Sequence, residues 1–218
     1  MSGPALDLMV FADIICPWCY VGKRRLEKAL AQVDANAHIR VSWLPFELNP
    51  EMPRQGMERS AYRMRKFGSL ERSQQLDAQL TELGAQDGLG FRYDLITRTP
   101  NTLNAHRLIM LAGQGTSQDV LVEALFQAYF VLGRDIGDLE TLVGIGSTVG
   151  MDPARARRFL QGEEGTPAVR EYEQAARNAG ITGVPAFIAN GRPLFMGAQA
   201  PDVIAAALQD VLSQSSAA

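Results

Sequence analysis

"FADIICPWCYVGKRRLEKAL", residues 11–30, decides the fold, because an apolar run changes there into a helical pattern. Residues 6–15 are rich in apolar and β-branched side chains and are too few for a buried helix of normal length, which predicts a buried strand. Proline is favoured at the first position of a helix, so Pro17 predicts a helix start. Apolar residues such as Leu26 and Leu30 then recur at helical spacing among lysines and arginines. The stretch therefore predicts a strand that leads directly into a helix.

The chain has two cysteines, and both lie at this predicted helix start. With Pro17 at the first helical position, Cys16 occupies the N-cap and Cys19 the third position. A side chain at the N-cap accepts hydrogen bonds from free backbone N–H groups and lies at the positive end of the helix dipole. Such surroundings lower a thiol pKa from ~8.5 into the range ~3.5–7.5. We therefore expect Cys16 to be the nucleophile and Cys19, one turn further and more buried, to resolve its mixed disulfide.

The two cysteines have three other interpretations. Two core cysteines are common, but a proline between them at a strand-to-helix junction is not. A zinc site needs further ligands, and the available nitrogen donors, His38 and His106, lack zinc-finger spacing. A hydrolase is not favoured either, because no nucleophile elbow is present.

The rest of the chain predicts a sheet that is interrupted by helices. Residues 38–46 alternate as a second strand, which completes a β-α-β unit. From about residue 49 to about 165 there is almost no strand signal. Helical patterns occupy the ranges 60–84, 101–113, 117–132, 138–149, 153–161 and, after them, 166–180. Asn190-Gly191 between two apolar runs predicts a β-hairpin, and residues 200–214 form a last amphipathic helix.

This order predicts an α/β fold, with one mixed sheet of about four strands and helices on both faces. The sheet is split by a helical insertion. We expect a discontinuous sheet domain made of residues 1–48 and 165–218, and a helical domain made of residues 49–164.

Composition excludes several function classes. The formal net charge is −3 and the pI is near 5.5, so no basic surface predicts nucleic-acid binding. No basic leader precedes the first apolar run and no run approaches ~18 apolar residues, so neither secretion nor a membrane partner is expected. We therefore predict a cytoplasmic protein. In a reducing compartment, a cysteine pair is more often catalytic, redox-sensing or metal-binding than structural.

Four segments carry a resemblance to a known family. They are "FADIICPWCYVGKRRLEKAL", "GVPAFIANGR", "FMGAQAPDVI" and "RTPNTLNAHRLIMLA". With these segments, essentially the whole chain resembles the thioredoxin-fold DsbA superfamily, and within it the FrnE-like dithiol-disulfide oxidoreductases. The resemblance implies a DsbA-like fold and an oxidoreductase or isomerase that acts on protein, peptide or small-molecule disulfides. It implies no tightly bound cofactor or metal, glutathione as a redox co-substrate, and compatibility with a homodimer.

The resemblance also implies further site residues. Pro185 would be a cis-proline whose loop faces the cysteines, and the Val184 backbone would pair with an extended substrate segment. The other interpretation of Pro185 is a proline that starts a strand. Pro17 and Trp18 are candidate substrate-binding residues, although Trp18 could equally shield the helix start.

Two other function classes stay open at this point. A related branch contains kappa-class glutathione transferases and 2-hydroxychromene-2-carboxylate isomerases, which carry serine at the first active position. Because this chain keeps both cysteines, disulfide exchange is favoured over glutathione-dependent isomerisation. The third interpretation is a redox-regulated binding protein.

Several other residues have both a functional and a structural interpretation. Asp13, three before Cys16, could transfer protons, but a hydrogen bond to the next loop is favoured. His106 could reach the site from the insertion, but a satisfied helix histidine is favoured. The cluster Arg63, Arg65 and Lys66 is interpreted as a solvated helix face. The residues expected in the core are Phe126, Tyr129 and Phe130.

Overall fold

The computed structural model describes residues 5–34, 37–113 and 117–216. The strands in these ranges are β1 (Ala5–Ala12), β2 (His38–Pro45), β3 (Met57–Glu58), β4 (Arg98–Thr99), β5 (Ala186–Ala189) and β6 (Arg192–Met196). The helices are α1 (Pro17–Leu30), α2 (Arg59–Phe67), α3 (Leu70–Gln86), α4 (Leu103–Ala112), α5 (Gln118–Phe130), α6 (Leu139–Thr148), α7 (Pro153–Gln161), α8 (Thr166–Asn178) and α9 (Pro201–Ser216), with a short 3₁₀ helix at Tyr93–Leu95. Within the described ranges, no helix is long and apolar enough to span a membrane.

A four-stranded mixed sheet lies at the centre of the fold, in the order β2-β1-β5-β6. β1 and β2 are parallel and are joined through α1, as the β-α-β prediction requires. β5 is antiparallel to β1, and β6 is antiparallel to β5. A two-residue turn, with positive φ at Asn190 and Gly191, joins β5 to β6 and confirms the predicted hairpin.

Both faces of the sheet are covered, because side chains alternate along β1. Leu6, Leu8 and Val10 are buried in the main core, to which α1 and α9 contribute. Phe11 points to the opposite face and packs in a smaller cluster that includes Ala176 of α8. The predicted fold class, an α/β mixed sheet with a large helical insertion, is confirmed. The division into two domains stays a prediction.

The first apolar segment is shorter as a strand than predicted. β1 ends at Ala12 rather than at residue 15, because the chain turns and the Cys16 N–H donates to the Asp13 carbonyl at 3.0 Å. Ile14 and Ile15 are apolar residues of this turn. The helix then begins at Pro17, as predicted.

The insertion differs from the prediction in two places. The range 60–84 is two helices, since Gly68 ends α2 with a φ of 85° and the Ser69 hydroxyl caps α3 by accepting from the Arg72 N–H. The short antiparallel pair β3–β4 was not predicted, because two residues per strand are too few to show a period. The predicted core residues Phe126, Tyr129 and Phe130 are buried.

Candidate active site

The start of α1 holds the two cysteines as the sequence predicts. Cys16 is the N-cap, with extended backbone dihedrals of φ −91° and ψ 111°, and Pro17 follows at the first helical position. The Cys16 carbonyl accepts from the Cys19 N–H at 3.0 Å and from the Tyr20 N–H at 3.4 Å. Cys19 is therefore the third helical residue, one turn inside the helix.

The Cys16 thiol faces a loop that is distant in sequence. Its sulfur lies 3.7 Å from the Val184 carbonyl, to which the thiol donates. The predicted side-chain cap is not formed in this reduced state, because the sulfur acts as a donor to Val184 rather than as an acceptor at the helix start. Cys16 is 5% exposed and Cys19 is fully buried, so Cys16 is the more accessible of the two residues.

Burial sets the chemistry of Cys19. Burial raises the pKa of the Cys19 thiol, and a hydrogen bond with Cys16 and the charge of a Cys16 thiolate raise it further. The Cys19 thiol therefore stays protonated while the Cys16 sulfur reacts. This asymmetry follows from the helix start, where one cysteine occupies the boundary and the other lies under it.

The proline loop lies against α1. The Val184-Pro185 peptide bond is cis, as the resemblance implied, and the Pro185 carbonyl accepts from the Gly197 N–H at 2.7 Å. A Cβ on Gly22 of α1 would lie 2.9 Å from Pro185 Cγ, so the loop can approach the helix because residue 22 has no side chain. Sequence reasoning missed Gly22, although a glycine inside a helical pattern is a signal of close packing.

The three candidate substrate-binding residues differ in exposure. The Trp18 side chain is 43% exposed beside the cysteines, whereas Pro17 and Val184 are half-buried. Trp18 is thus available for contact with another molecule.

Asp13 connects the active-site turn to two other segments. Its carboxylate is fully buried and accepts from the Leu48 N–H at 2.7 Å, so the favoured structural interpretation is confirmed. Its other oxygen lies 3.4 Å from Nε2 of His106 on α4. Burial lowers the pKa of His106, but the neighbouring Asp13 carboxylate, with help from Glu47, outweighs burial and raises that pKa overall. His106 of the insertion therefore does reach Asp13 of the active-site turn, and its Nε2 has no hydrogen-bond partner among the described residues, so the favoured interpretation of a satisfied helix histidine is wrong.

Glu47 and Glu173 extend this buried group, and sequence reasoning missed both. Burial is the main cause that raises the pKa of Glu47 to about 7. Glu173 of α8 accepts from the Glu47 N–H at 2.6 Å, and Arg170 donates to both carboxylates at 2.7 and 3.0 Å. The one signal in the sequence was an acidic residue inside the apolar run at 43–48.

A cavity of about 200 Å³ lies beside the cysteine turn. We call it the Trp18 cavity; Pro17 and Trp18 bound it on one side, and Arg59, Arg63 and Lys66 of α2 bound it on the other. The expectation of a solvated helix face holds for Arg65, which is exposed. It holds for Lys66 as well, which is exposed although it borders the cavity, and it is wrong for Arg63, which is half-buried in the cavity wall.

The structure combines a mixed thioredoxin-type sheet, two reduced cysteines at a helix start and a cis-proline loop that faces these cysteines. Together these features define a thioredoxin-fold dithiol protein. Residues 7–209 match the DSBA-like thioredoxin domain family, and the chain belongs to that family of thiol-disulfide oxidoreductases. The superfamily resemblance seen in the sequence is thereby confirmed.

Solved structures agree with this assignment. A probable DsbA oxidoreductase from Streptomyces coelicolor is 30% identical, with a TM-score of 0.85 over 97% of this chain and 90% of that chain. The cytosolic disulfide reductase DsbM from Pseudomonas aeruginosa, solved with GSH, is 19% identical, with a TM-score of 0.64 over 95% and 99% of the two chains. A 2-hydroxychromene-2-carboxylate isomerase, also 19% identical, has a TM-score of 0.70 over 96% and 98%. The last two similarities concern the fold alone.

Proposed function

We propose that this protein is a dithiol-disulfide oxidoreductase or isomerase in which Cys16 is the nucleophile and Cys19 the resolving cysteine. The observation that carries the proposal is the position of the Cys16 sulfur, at a helix start and 3.7 Å from the Val184 carbonyl, with Cys19 buried behind it. A thiolate formed at that sulfur gains from the helix dipole, which makes it both a nucleophile and a leaving group.

The exchange proceeds in two steps. The Cys16 sulfur bonds to one sulfur of a substrate disulfide, that disulfide breaks, and its other half leaves as a thiolate. The Cys19 sulfur then bonds to the Cys16 sulfur, and the second half of the substrate leaves. Two electrons pass from the protein to the substrate, and the two thiol protons end on the released thiols. The same steps in reverse oxidise a dithiol substrate.

The proline loop positions the substrate in this scheme. A substrate segment that runs beside Val184 pairs with its backbone, and Pro185 offers no N–H that would compete for the sulfur. The half-exposed Trp18 ring covers the apolar part of the segment. Substrates are protein or small-molecule thiols and disulfides, glutathione restores the starting redox state, and the reaction takes place in the cytoplasm.

The decisive experiment separates the two cysteines. Cys19→Ser should accumulate a mixed disulfide at Cys16 with an oxidised peptide, because the resolving sulfur is absent, and mass spectrometry measures that adduct. Cys16→Ser is the matched control and should form none. Iodoacetamide alkylation of reduced protein across pH should modify Cys16 much faster than Cys19. Equal modification rates, together with no transfer to a peptide, would refute the proposal.

The alternative is a glutathione-dependent isomerase or transferase of the kappa-class or 2-hydroxychromene-2-carboxylate isomerase type. That chemistry needs one side chain at the helix start, so turnover should survive Cys19→Ser. Loss of turnover in this variant excludes the alternative. The proximity of the two cysteines at the helix start supports the dithiol reaction instead.

A further inference from the structure

The Trp18 cavity has more positive charge than its acidic neighbour neutralises. Arg59 and Arg63 both donate to the same carboxylate, Asp77, at 2.7 and 2.6 Å. The Lys66 ammonium donates to the Tyr62 hydroxyl at 2.8 Å and has no acidic partner within the described residues. Three cations therefore face one carboxylate.

The crowding of like charges is visible at Arg63. Burial lowers the pKa of this guanidinium and the neighbouring charge of Arg59 lowers it as well, against the opposing effect of Asp77. A second anion in the cavity would relieve this repulsion, and guanidinium groups bind carboxylates in a planar, two-pronged geometry.

The walls between these cations are aromatic. Tyr62, Phe67, Tyr93 and Trp18 line the cavity, and the Arg63 guanidinium lies 4.3 Å from the centre of the Phe67 ring. Apolar surface of this kind accepts a ring or an aliphatic body and excludes water around the cations. The volume, about 200 Å³, suits a small molecule, since a cavity of ~150 Å³ already holds benzene.

One polar group in this wall is unpaired. The Tyr93 hydroxyl is buried and has no hydrogen-bond partner in the part of the chain that the structure describes. Burial and then the charge of Asp77 raise the pKa of Tyr93, so this hydroxyl stays protonated and can donate a hydrogen bond at neutral pH. A buried donor without an acceptor costs stability unless a ligand supplies one.

The cavity also reaches the reactive turn directly. Ile15 and Pro17, the two neighbours of Cys16 in the chain, both line it. A molecule that fills the cavity therefore lies next to the turn that holds Cys16.

We propose that the Trp18 cavity binds small organic disulfides that carry a carboxylate beside an aromatic or similarly compact apolar body. The carboxylate lies on Arg63 and Lys66, the Tyr93 hydroxyl donates to the ligand, and the apolar body contacts Trp18 and Phe67. This inference rests on the dithiol function proposed above and names a substrate class for it. Exchange follows the two steps already given, with the protein dithiol as the reductant.

A pair of matched disulfides tests charge selection. Reduced protein is mixed in single turnover with 4,4′-dithiodibenzoate or with its dimethyl ester, and each rate is divided by that of 2-mercaptoethanol with the same compound. The ratio of the two normalised rates should favour the dicarboxylate about tenfold or more, and added salt should reduce it. A ratio near one overturns the proposal.

Two variants of the same helix locate the effect. Lys66→Gln should lower that ratio about three- to tenfold, because it removes one cation from the cavity. Arg65→Gln removes the same charge from the exposed neighbouring position and should leave the ratio unchanged. Equal ratios in the two variants would overturn the assignment of the cavity.

Binding without chemistry separates this inference from the proposed function. 4-(Methylthio)benzoate has no disulfide, and calorimetry should show that it binds the wild type and binds Lys66→Gln and Tyr93→Phe more weakly. Tyr93→Phe keeps the ring, so it should fold. Binding that is absent, or unchanged in both variants, refutes the cavity site. Binding without any disulfide exchange keeps the site and refutes the dithiol function.

Discussion

Replacement of Glu47 by glutamine should remove much of the pH dependence of folding stability. The carboxyl is buried and its pKa is about 7, against an ordinary value of 4.5, a difference that corresponds to about 3 kcal/mol of unfolding free energy. Below pH 4.5 it is neutral in both the folded and the unfolded state. Between pH 4.5 and 7 the folded protein holds a proton on Glu47 that the unfolded chain has released, so the free energy of unfolding falls as pH rises. Above pH 7 the full cost of burying the Glu47 carboxylate, about 3 kcal/mol, is present.

His106 changes stability in the same direction. In the folded protein the pKa of His106 is raised above its ordinary value of 6.5. Its contribution to the free energy of unfolding is therefore fully present below pH 6.5 and is lost as pH rises through the pKa of the folded state. Glutamine at position 47 stays neutral, retains an oxygen that can accept from Arg170, and removes one of the charges that support protonated His106. The free energies of unfolding of Glu47→Gln and wild type should therefore converge near pH 4.5 and separate by up to about 3 kcal/mol near pH 8, with the variant more stable.

Urea unfolding followed by far-UV circular dichroism from pH 4.5 to 8 measures this difference. Glu51→Gln, an exposed position on the same loop, is the matched control and should change the profile little. A constant difference between Glu47→Gln and wild type over the whole range would refute the argument. So would a variant that loses stability at pH 8.

Two further substitutions test the packing around the site. Gly22→Ala places a Cβ 2.9 Å from Pro185 Cγ, so it should lower the free energy of unfolding in urea by about 1–3 kcal/mol and slow disulfide exchange. Gly144→Ala is the control: its Cβ would meet its nearest neighbour at 3.7 Å, so this variant should be neutral or stabilising. Arg107→Lys removes a guanidinium that donates to four backbone carbonyls, those of Phe159, Leu160, Gly162 and Glu164. The variant should lose about 2–4 kcal/mol of unfolding free energy in the same assay. An unchanged urea midpoint would contradict this structural role of Arg107.

Local patterns were sufficient to predict the central sheet and the helix start. β1, β2 and the hairpin each have a strong period or a turn dipeptide, and Pro17 sets the first residue of α1 whatever packs around it. The Gly68-Ser69 break was equally local, but periodicity across residues 60–84 obscured it, because the phase of the apolar positions continues on both sides.

The buried ionisable group and the Trp18 cavity could not be predicted in the same way. Asp13, Glu47, His106 and Glu173 come from four separate segments, and single charges in apolar runs do not reveal their partners. Lys66 and Arg65 are adjacent, exposed and carry the same charge, and only the direction of α2 places Lys66, and not Arg65, at the cavity.

The side chain and backbone of Asp13 couple the dithiol to the helical insertion in a way that hydrogen exchange can detect. Its carbonyl accepts from the Cys16 N–H, and its carboxylate accepts from the Leu48 N–H and lies against His106 of α4. Displacement of α4 would remove His106 from Asp13, and any opening that moved Asp13 would expose both amides together. The Cys16 and Leu48 amides therefore belong to one cooperative opening unit, although 32 positions separate them in the chain.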